Sequence, residues 1–160
     1  MKVAILYVSK YGTTEKVACL IADKLKETNN VELFSLNKNP NQDISGFECV
    51  ILGTPIYAGK ASSKMKAFCK KNEPVLLQKK IGLFVCGMYP DKENQEKELK
   101  EAYPEALQQK AEAAVFLGGA FIFEQMNYFE RMIIKQIAKT TTSVERIDNK
   151  AVDVFVKRFQ

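Results

Sequence analysis

Five runs of apolar residues punctuate the chain: Lys2–Val8, Val31–Leu36, Cys49–Leu52, Ile81–Cys86 and Ala114–Phe123. Most are continuously apolar rather than alternating, the pattern of strands covered on both faces in a parallel sheet. Between them, apolar positions recur at helical spacing. Val17, Ala18, Ile21 and Leu25 mark a helix after the first run, and Met65, Phe68 and Cys69 mark another over Ser62–Lys71. A third is predicted over Asn94–Ala102, restarting at Pro104, a favoured first-turn residue. The stretch Phe34–Phe47 is short, polar and carries Pro40, so it holds one or two helical turns at most. Strands alternating with helices imply an open α/β sheet with right-handed crossovers. Five strands fit the doubly wound order 2-1-3-4-5, whose ligands bind beyond the carboxyl ends of the strands beside the switch point. No repeat, low-complexity tract or Gly/Ser linker divides residues 1–160, which read as a single domain.

The pattern continues past the point where such a sheet needs only one closing helix. The segment "FEQMNYFERMIIKQIAKTTTSVERIDNKAVDVFVKRFQ" is enough for two helices joined by "TTTSVERIDN". In the first, Phe129, Met132, Ile133 and Ile137 share a face that Tyr128 and Ile134 broaden, while Arg131, Lys135 and Lys139 line another side. This helix either covers the sheet or presents an apolar, basic-edged surface over residues 126–140 to a quinone, a membrane surface or a partner.

Composition narrows the chemistry. The 160 residues contain no histidine, and the four cysteines Cys19, Cys49, Cys69 and Cys86 form no C-x-x-C pair. A zinc site of the usual groupings is disfavoured, and histidine-based nucleophilic or acid–base catalysis is excluded. Cys49 and Cys86 sit inside apolar runs and read as reduced core thiols. Any reaction therefore belongs to a bound cofactor. The net charge of +5 is uneven: residues 1–80 carry 13 basic and 7 acidic groups, and 81–125 carry 4 and 8. No Lys/Arg block is interleaved with aromatics, so nucleic acid is not an expected partner. The N-terminus shows no signal-peptide pattern and no window reaches the ~20 apolar residues of a membrane span, so the cytoplasm is the expected compartment.

Three loops at the expected crevice carry candidate chemistry. Ser9, Lys10, Tyr11, Gly12, Thr13 and Thr14 join the first strand to the first helix. A helix N-terminus offers unpaired amides and a partial positive charge, and the hydroxyls of Ser9, Thr13 and Thr14 add donors. Gly12 permits close approach of the backbone. Neither G-x-x-x-x-G-K-[ST] nor G-x-G-x-x-G is present, which points to a phosphate monoester rather than a nucleoside triphosphate or dinucleotide. The plainer account is a helix capped by Thr13.

With "SKYGTT" in this place, the chain resembles the flavodoxin family. The resemblance covers nearly the whole chain in element order. It implies a flavodoxin-like fold and a loop that holds the phosphate of FMN with hydroxyls and amides. Tyr11 stands where the family has a second hydroxyl position. The loop Thr54, Pro55, Ile56, Tyr57, Ala58 and Gly59 then offers apolar and aromatic walls for an isoalloxazine ring. Gly59 would allow a peptide rearrangement that turns a carbonyl to the reduced ring. Cys86, Gly87, Met88 and Tyr89, after the fourth strand, would reach the opposite side. Either Tyr57 or Tyr89 is the stacking residue. Lys60, Lys64, Lys70 and Lys71 follow the second loop; Lys60 and Lys64, placed on one helix face, would steer an acidic partner or substrate.

The family implies an FMN electron carrier between redox partner proteins. A second implication comes from "GTPIYAGK", "GGAFIF", "YFERMIIKQIAK" and "ERIDNK", which resemble the flavodoxin-type menaquinone-dependent protoporphyrinogen oxidases. That branch would take electrons from a porphyrinogen and pass them to a quinone. Its segment after the fourth strand tends to be basic, whereas "DKENQEKELKEAYPEA" is acidic here. A third reading is an interaction domain that has lost its flavin.

Overall fold

The computed structural model describes residues 1–121 and 144–160. The first apolar run is strand β1 (Lys2–Tyr7), followed by helix α1 (Thr13–Leu25) and β2 (Asn30–Ser35). Next come β3 (Cys49–Tyr57), a short β4 (Lys60–Ala61), α2 (Ser63–Leu76) and β5 (Lys80–Cys86). Helices α3 (Lys92–Ala102) and α4 (Glu105–Lys110) lead to β6 (Ala113–Phe116). Strands β7 (Gly118–Phe121) and β8 (Val144–Ile147) precede the last helix, α5 (Asn149–Val156).

The long strands pair in parallel in the order β2-β1-β3-β5-β6, with β4 added antiparallel to the end of β3. Counting only the five parallel strands, this is the expected order 2-1-3-4-5. Side chains alternate across the sheet, so each strand feeds two cores. Val3, Ile5, Cys49, Ile51 and Phe84 face α1 and α5, which contribute Val17, Ile21, Leu25 and Phe155, with Phe159 joining from the turn after α5. Ala4, Leu6, Val50, Leu52 and Leu83 face the other way, toward Met65 and Phe68 of α2 and Leu107 of α4. Burial on both sides is why the strands are continuously apolar.

Several expected boundaries move. Strand β3 continues through Thr54–Tyr57, expected as loop, because Thr54 and Pro55 pair with Val85 and Cys86. Its hairpin partner β4 adds Tyr57↔Lys60. The turn between them has Ala58 at φ 48° and Gly59 at φ 75°, the left-handed pair of a two-residue hairpin turn. The stretch Phe34–Phe47 forms turns without a helix, and pins Leu36, Ile44 and Phe47 onto the sheet. Helix α2 extends five residues past Lys71 and takes in Pro74. Helix α3 starts earlier than expected, capped by Asp91, whose carboxylate accepts from the Asn94 amide at 3.0 Å. Pro104 is the cap of α4 and not its first-turn residue.

The expected fifth strand, Ala114–Phe123, is two strands in different sheets. It breaks at Leu117, whose amide bonds to Val85 O while its carbonyl takes the Asp148 amide. Gly118 then adopts φ 76°, and a Cβ there would run into Arg146 O. Only glycine makes this turn cheaply. Beyond it β7 pairs antiparallel with β8, from Gly118↔Ile147 to Phe121↔Val144. Part of the expected linker "TTTSVERIDN" is thus strand β8, and α5 is the second of the two predicted C-terminal helices. The first, with the surface over residues 126–140, lies outside the described residues. Helix α1 is tied to this C-terminal part by Lys16–Glu145 at 2.7 Å and Lys24–Asp153 at 2.8 Å.

Candidate functional site

At the carboxyl ends of β1, β3 and β5 the crossovers leave in opposite directions, and a cavity of about 370 Å³ opens there. Ser9, Lys10, Tyr11 and Thr13 line it from the β1–α1 loop. Pro55, Ile56 and Tyr57 line it from the end of β3, and Cys86, Gly87 and Met88 from the end of β5. All three expected loops therefore meet in one space, at the size of a small-molecule cofactor pocket.

The phosphate-type end is built locally. Gly12 stands before α1 at φ 93°, and no side chain caps the helix. The Ser9 hydroxyl accepts the Gly12 amide at 3.0 Å, folding the loop back on itself. The first hydrogen bond of the helix runs from Lys16 N to Gly12 O, so the amides of the first turn lack intrahelical acceptors. The expectation that Thr13 caps the helix is corrected: the residue before α1 is Gly12, and Thr13 is already helical. Thr14 is buried.

The wall is apolar and aromatic. The Tyr57 ring lies 6.2 Å from that of Tyr11, tilted by 57°, and the Lys10 ammonium sits 4.3 Å from the Tyr57 centroid. Burial raises the pKa of the Tyr57 phenol, while Lys10 pulls it down. Its oxygen is buried without a partner. Burial pushes the Cys86 thiol up to about 12, so it lies in the wall as a neutral group and not as a nucleophile.

Six expected residues do not line this cavity. Gly12 is an exposed residue of the loop and Thr14 is buried. Thr54 is fully buried, and its hydroxyl accepts the Ser62 amide at 3.2 Å, joining β3 to the start of α2. Ala58 and Gly59 form the hairpin tip. Tyr89 faces a second cavity of about 270 Å³, which it shares with Pro90, Gln95, Phe116, Arg146 and Asp148. Of the two candidate stacking residues, Tyr57 is the one in the first cavity. Gln95 Nε2 donates to Tyr89 O at 2.7 Å.

Other lining residues were not expected: Val8, Asn37, Ala61, Ser62, Ser63 and Gly119. Asn37 accepts the Ser9 amide at 3.0 Å; it reaches the loop only because β2 lies beside β1. Lys60 and Lys64 also line the cavity, but from strand β4 and helix α2 respectively, and not from one helix face.

Under the Gly87 turn sits a carboxyl group the sequence did not single out. Glu98 of α3 is 5% exposed, and its Oε2 has no partner. That oxygen would be 3.1 Å from a Cβ on Gly87. Burial, then the charges of Glu101 and Asp91, raise its pKa to about 7.

Comparison with known proteins agrees with this arrangement. The family model for the flavodoxin domain matches residues 4–148. A flavodoxin of Clostridium saccharobutylicum is 36% identical over 84 residues, covering 51% of this chain and 52% of its own, so the match spans about half of that relative. Among solved structures, oxidised flavodoxin 1 of Bacillus cereus superposes with a TM-score of 0.57 at 23% identity, over 87% of this chain and 96% of its own. Rubredoxin:oxygen oxidoreductase of Desulfovibrio gigas gives 0.58 at 19% identity, over 99% of this chain and 37% of that larger one. Two-electron-reduced flavodoxin of Megasphaera elsdenii gives 0.55 at 24%, over 72% of this chain and 82% of its own. These structural likenesses are likenesses of fold.

Proposed function

This chain belongs to the flavodoxin family, and from that membership we propose that it binds FMN and carries electrons between redox partner proteins. One juxtaposition supports the reading above all. An uncapped helix N-terminus with hydroxyls on its loop opens into a largely apolar cavity at the switch point of the sheet. The residues fit the group. Amides of the first turn of α1, with Ser9 and Thr13, would hold the phosphate. Ile56, Tyr57 and Met88 would enclose the ring and exclude water from it, with backbone groups near Gly87 along its edge. Gly12, at φ 93°, would let the loop turn into α1. FMN supplies the electron transfer when bound. The charged side chains lining the cavity are lysines, and no histidine is available as acid or base. The chain's part is therefore to bind, orient and shield.

The four cysteines are free thiols, which fits a reducing compartment such as the cytoplasm. Among the described residues, no helix is long and apolar enough to cross a membrane.

Of the segments that resemble the porphyrinogen-oxidising branch, "YFERMIIKQIAK" lies outside the described residues, and the relatives reported above include several flavodoxins and no such oxidase. Two mixtures separate the readings. Photoreduced holo-protein mixed with an oxidised iron–sulfur protein is expected to pass on its electrons. Oxidised holo-protein with protoporphyrinogen and a menaquinone analogue is expected to give no porphyrin fluorescence above a protein-free control. Catalytic appearance of porphyrin would replace the carrier reading with the oxidase.

A further inference from the structure

The charged side chains that line the first cavity are Lys10, Lys60 and Lys64; no aspartate or glutamate lines it among the described residues. They differ in situation. Lys10 is engaged over the rings of Tyr57 and Tyr11 at the phosphate-loop side. Lys60 and Lys64 come from β4 and α2 on the Tyr57 side, are exposed, and are in no ion pair of the described residues.

Local stability does not explain Lys64. It occupies the first turn of α2, where the unpaired amides and the helix dipole already give positive potential, and that turn has no acidic residue. A cation there opposes the dipole. Nor does the neighbourhood neutralise it: residues 60–71 hold five lysines and no acidic residue. Of these, Lys71 is held by Asn41 Oδ1 at 2.8 Å, whereas Lys66 and Lys70 lie on the other flank of the helix. Positive charge is thus concentrated at the mouth of the cavity, beside the wall that would enclose the flavin. Such a field speeds encounter with an anionic surface and repels a cationic one, within about a Debye length.

We propose that the Lys60–Lys64 rim is the docking face for an acidic redox protein, whose carboxylates meet these two ammonium groups at the mouth of the cavity. The proposal rests on the FMN-carrier reading and adds the chemistry of the partner to it. No bond is made or broken at the lysines; electrons pass from reduced flavin to the oxidised centre of the docked protein.

The test uses FMN-loaded, photoreduced protein and two oxidised probes, an acidic plant-type iron–sulfur protein and a basic c-type cytochrome. Stopped-flow rates are taken against ionic strength for the wild type, K60E/K64E, and the control K66E/K70E on the opposite flank. The rate with the acidic probe should fall as salt rises, and the rate with the basic probe should rise. K60E/K64E should slow the acidic probe about tenfold at low salt, with the difference vanishing at high salt, and K66E/K70E should have a much smaller effect. All rates are taken with FMN saturating each variant, as checked by fluorescence quenching, so that a change in cofactor affinity does not enter them. Equal slowing by both variants would reduce the effect to net charge and overturn the proposal. So would an unchanged rate in K60E/K64E. Failure of the wild type itself to bind FMN is a separate outcome, and overturns the carrier reading beneath the proposal.

Discussion

The residues of the first loop were legible because their role is local. Ser9, Gly12 and Thr13 sit within one turn of chain, so strand, glycine and hydroxyls can be read in order. Asn37 was not legible, since its contact with Ser9 depends on two strands lying side by side. Glu98 was hidden differently, as one acid among many in "KENQEKELKEA"; only its burial beside Gly87 sets it apart. Its consequence is testable. The folded chain holds the Glu98 proton up to about pH 7, whereas a free carboxyl of this kind loses it near 4.5. Folding therefore takes up a proton between these values, and this group lowers stability as pH rises through that window, with the cost complete above it. We expect E98Q to be more stable than wild type by roughly 1–3 kcal/mol at pH 8 and by much less at pH 5, read by urea unfolding. An equal difference at both pH values would contradict the assignment. At Tyr57 the proposed role belongs to the ring, and the hydroxyl has no partner. Y57A should weaken FMN binding by about 1–3 kcal/mol, by analogy with base stacking on aromatic side chains. Y57F should leave it nearly unchanged. Fluorescence titration of the two variants decides between ring and hydroxyl.

Elements were legible where burial is two-sided and the period is clean, as in β1, β5 and α1. They were not legible where tertiary pairing overrides a local pattern. The run Ala114–Phe123 looks like one strand because its residues are uniformly small or apolar, yet Gly118 turns the chain out of the main sheet to meet β8. Likewise "VERI" reads as linker until β7 supplies its hydrogen-bond partners. This break is what lets Gly119 reach the cavity wall and Arg146 the second cavity. The turn depends on the missing side chain. G118A should destabilise the fold by at least about 2 kcal/mol, from left-handed strain plus the clash with Arg146 O. The expected observation is a lower urea midpoint with an unchanged slope. A midpoint equal to wild type would mean that the passage from β6 into β7 does not depend on glycine at this turn.

For the whole molecule, the doubly wound order follows from five apolar strands separated by helices, and this order alone gathers the ends of β1, β3 and β5 around one space. The loops are far apart in sequence, and their convergence, not any single motif, makes the case for a flavin. Charge at this scale was only half visible: the lysine excess after β3 is plain, but its placement at the mouth of the cavity depends on the β3–β4 hairpin. The most direct test is titration of the refolded, nucleotide-free chain with FMN, followed by flavin fluorescence and by absorbance of the bound fraction. The account predicts saturation at one FMN per chain with the fluorescence quenched, and impaired binding when Gly12 and Thr13 are replaced by bulky apolar residues. A folded wild-type chain that leaves FMN fluorescence unchanged at large excess would contradict it.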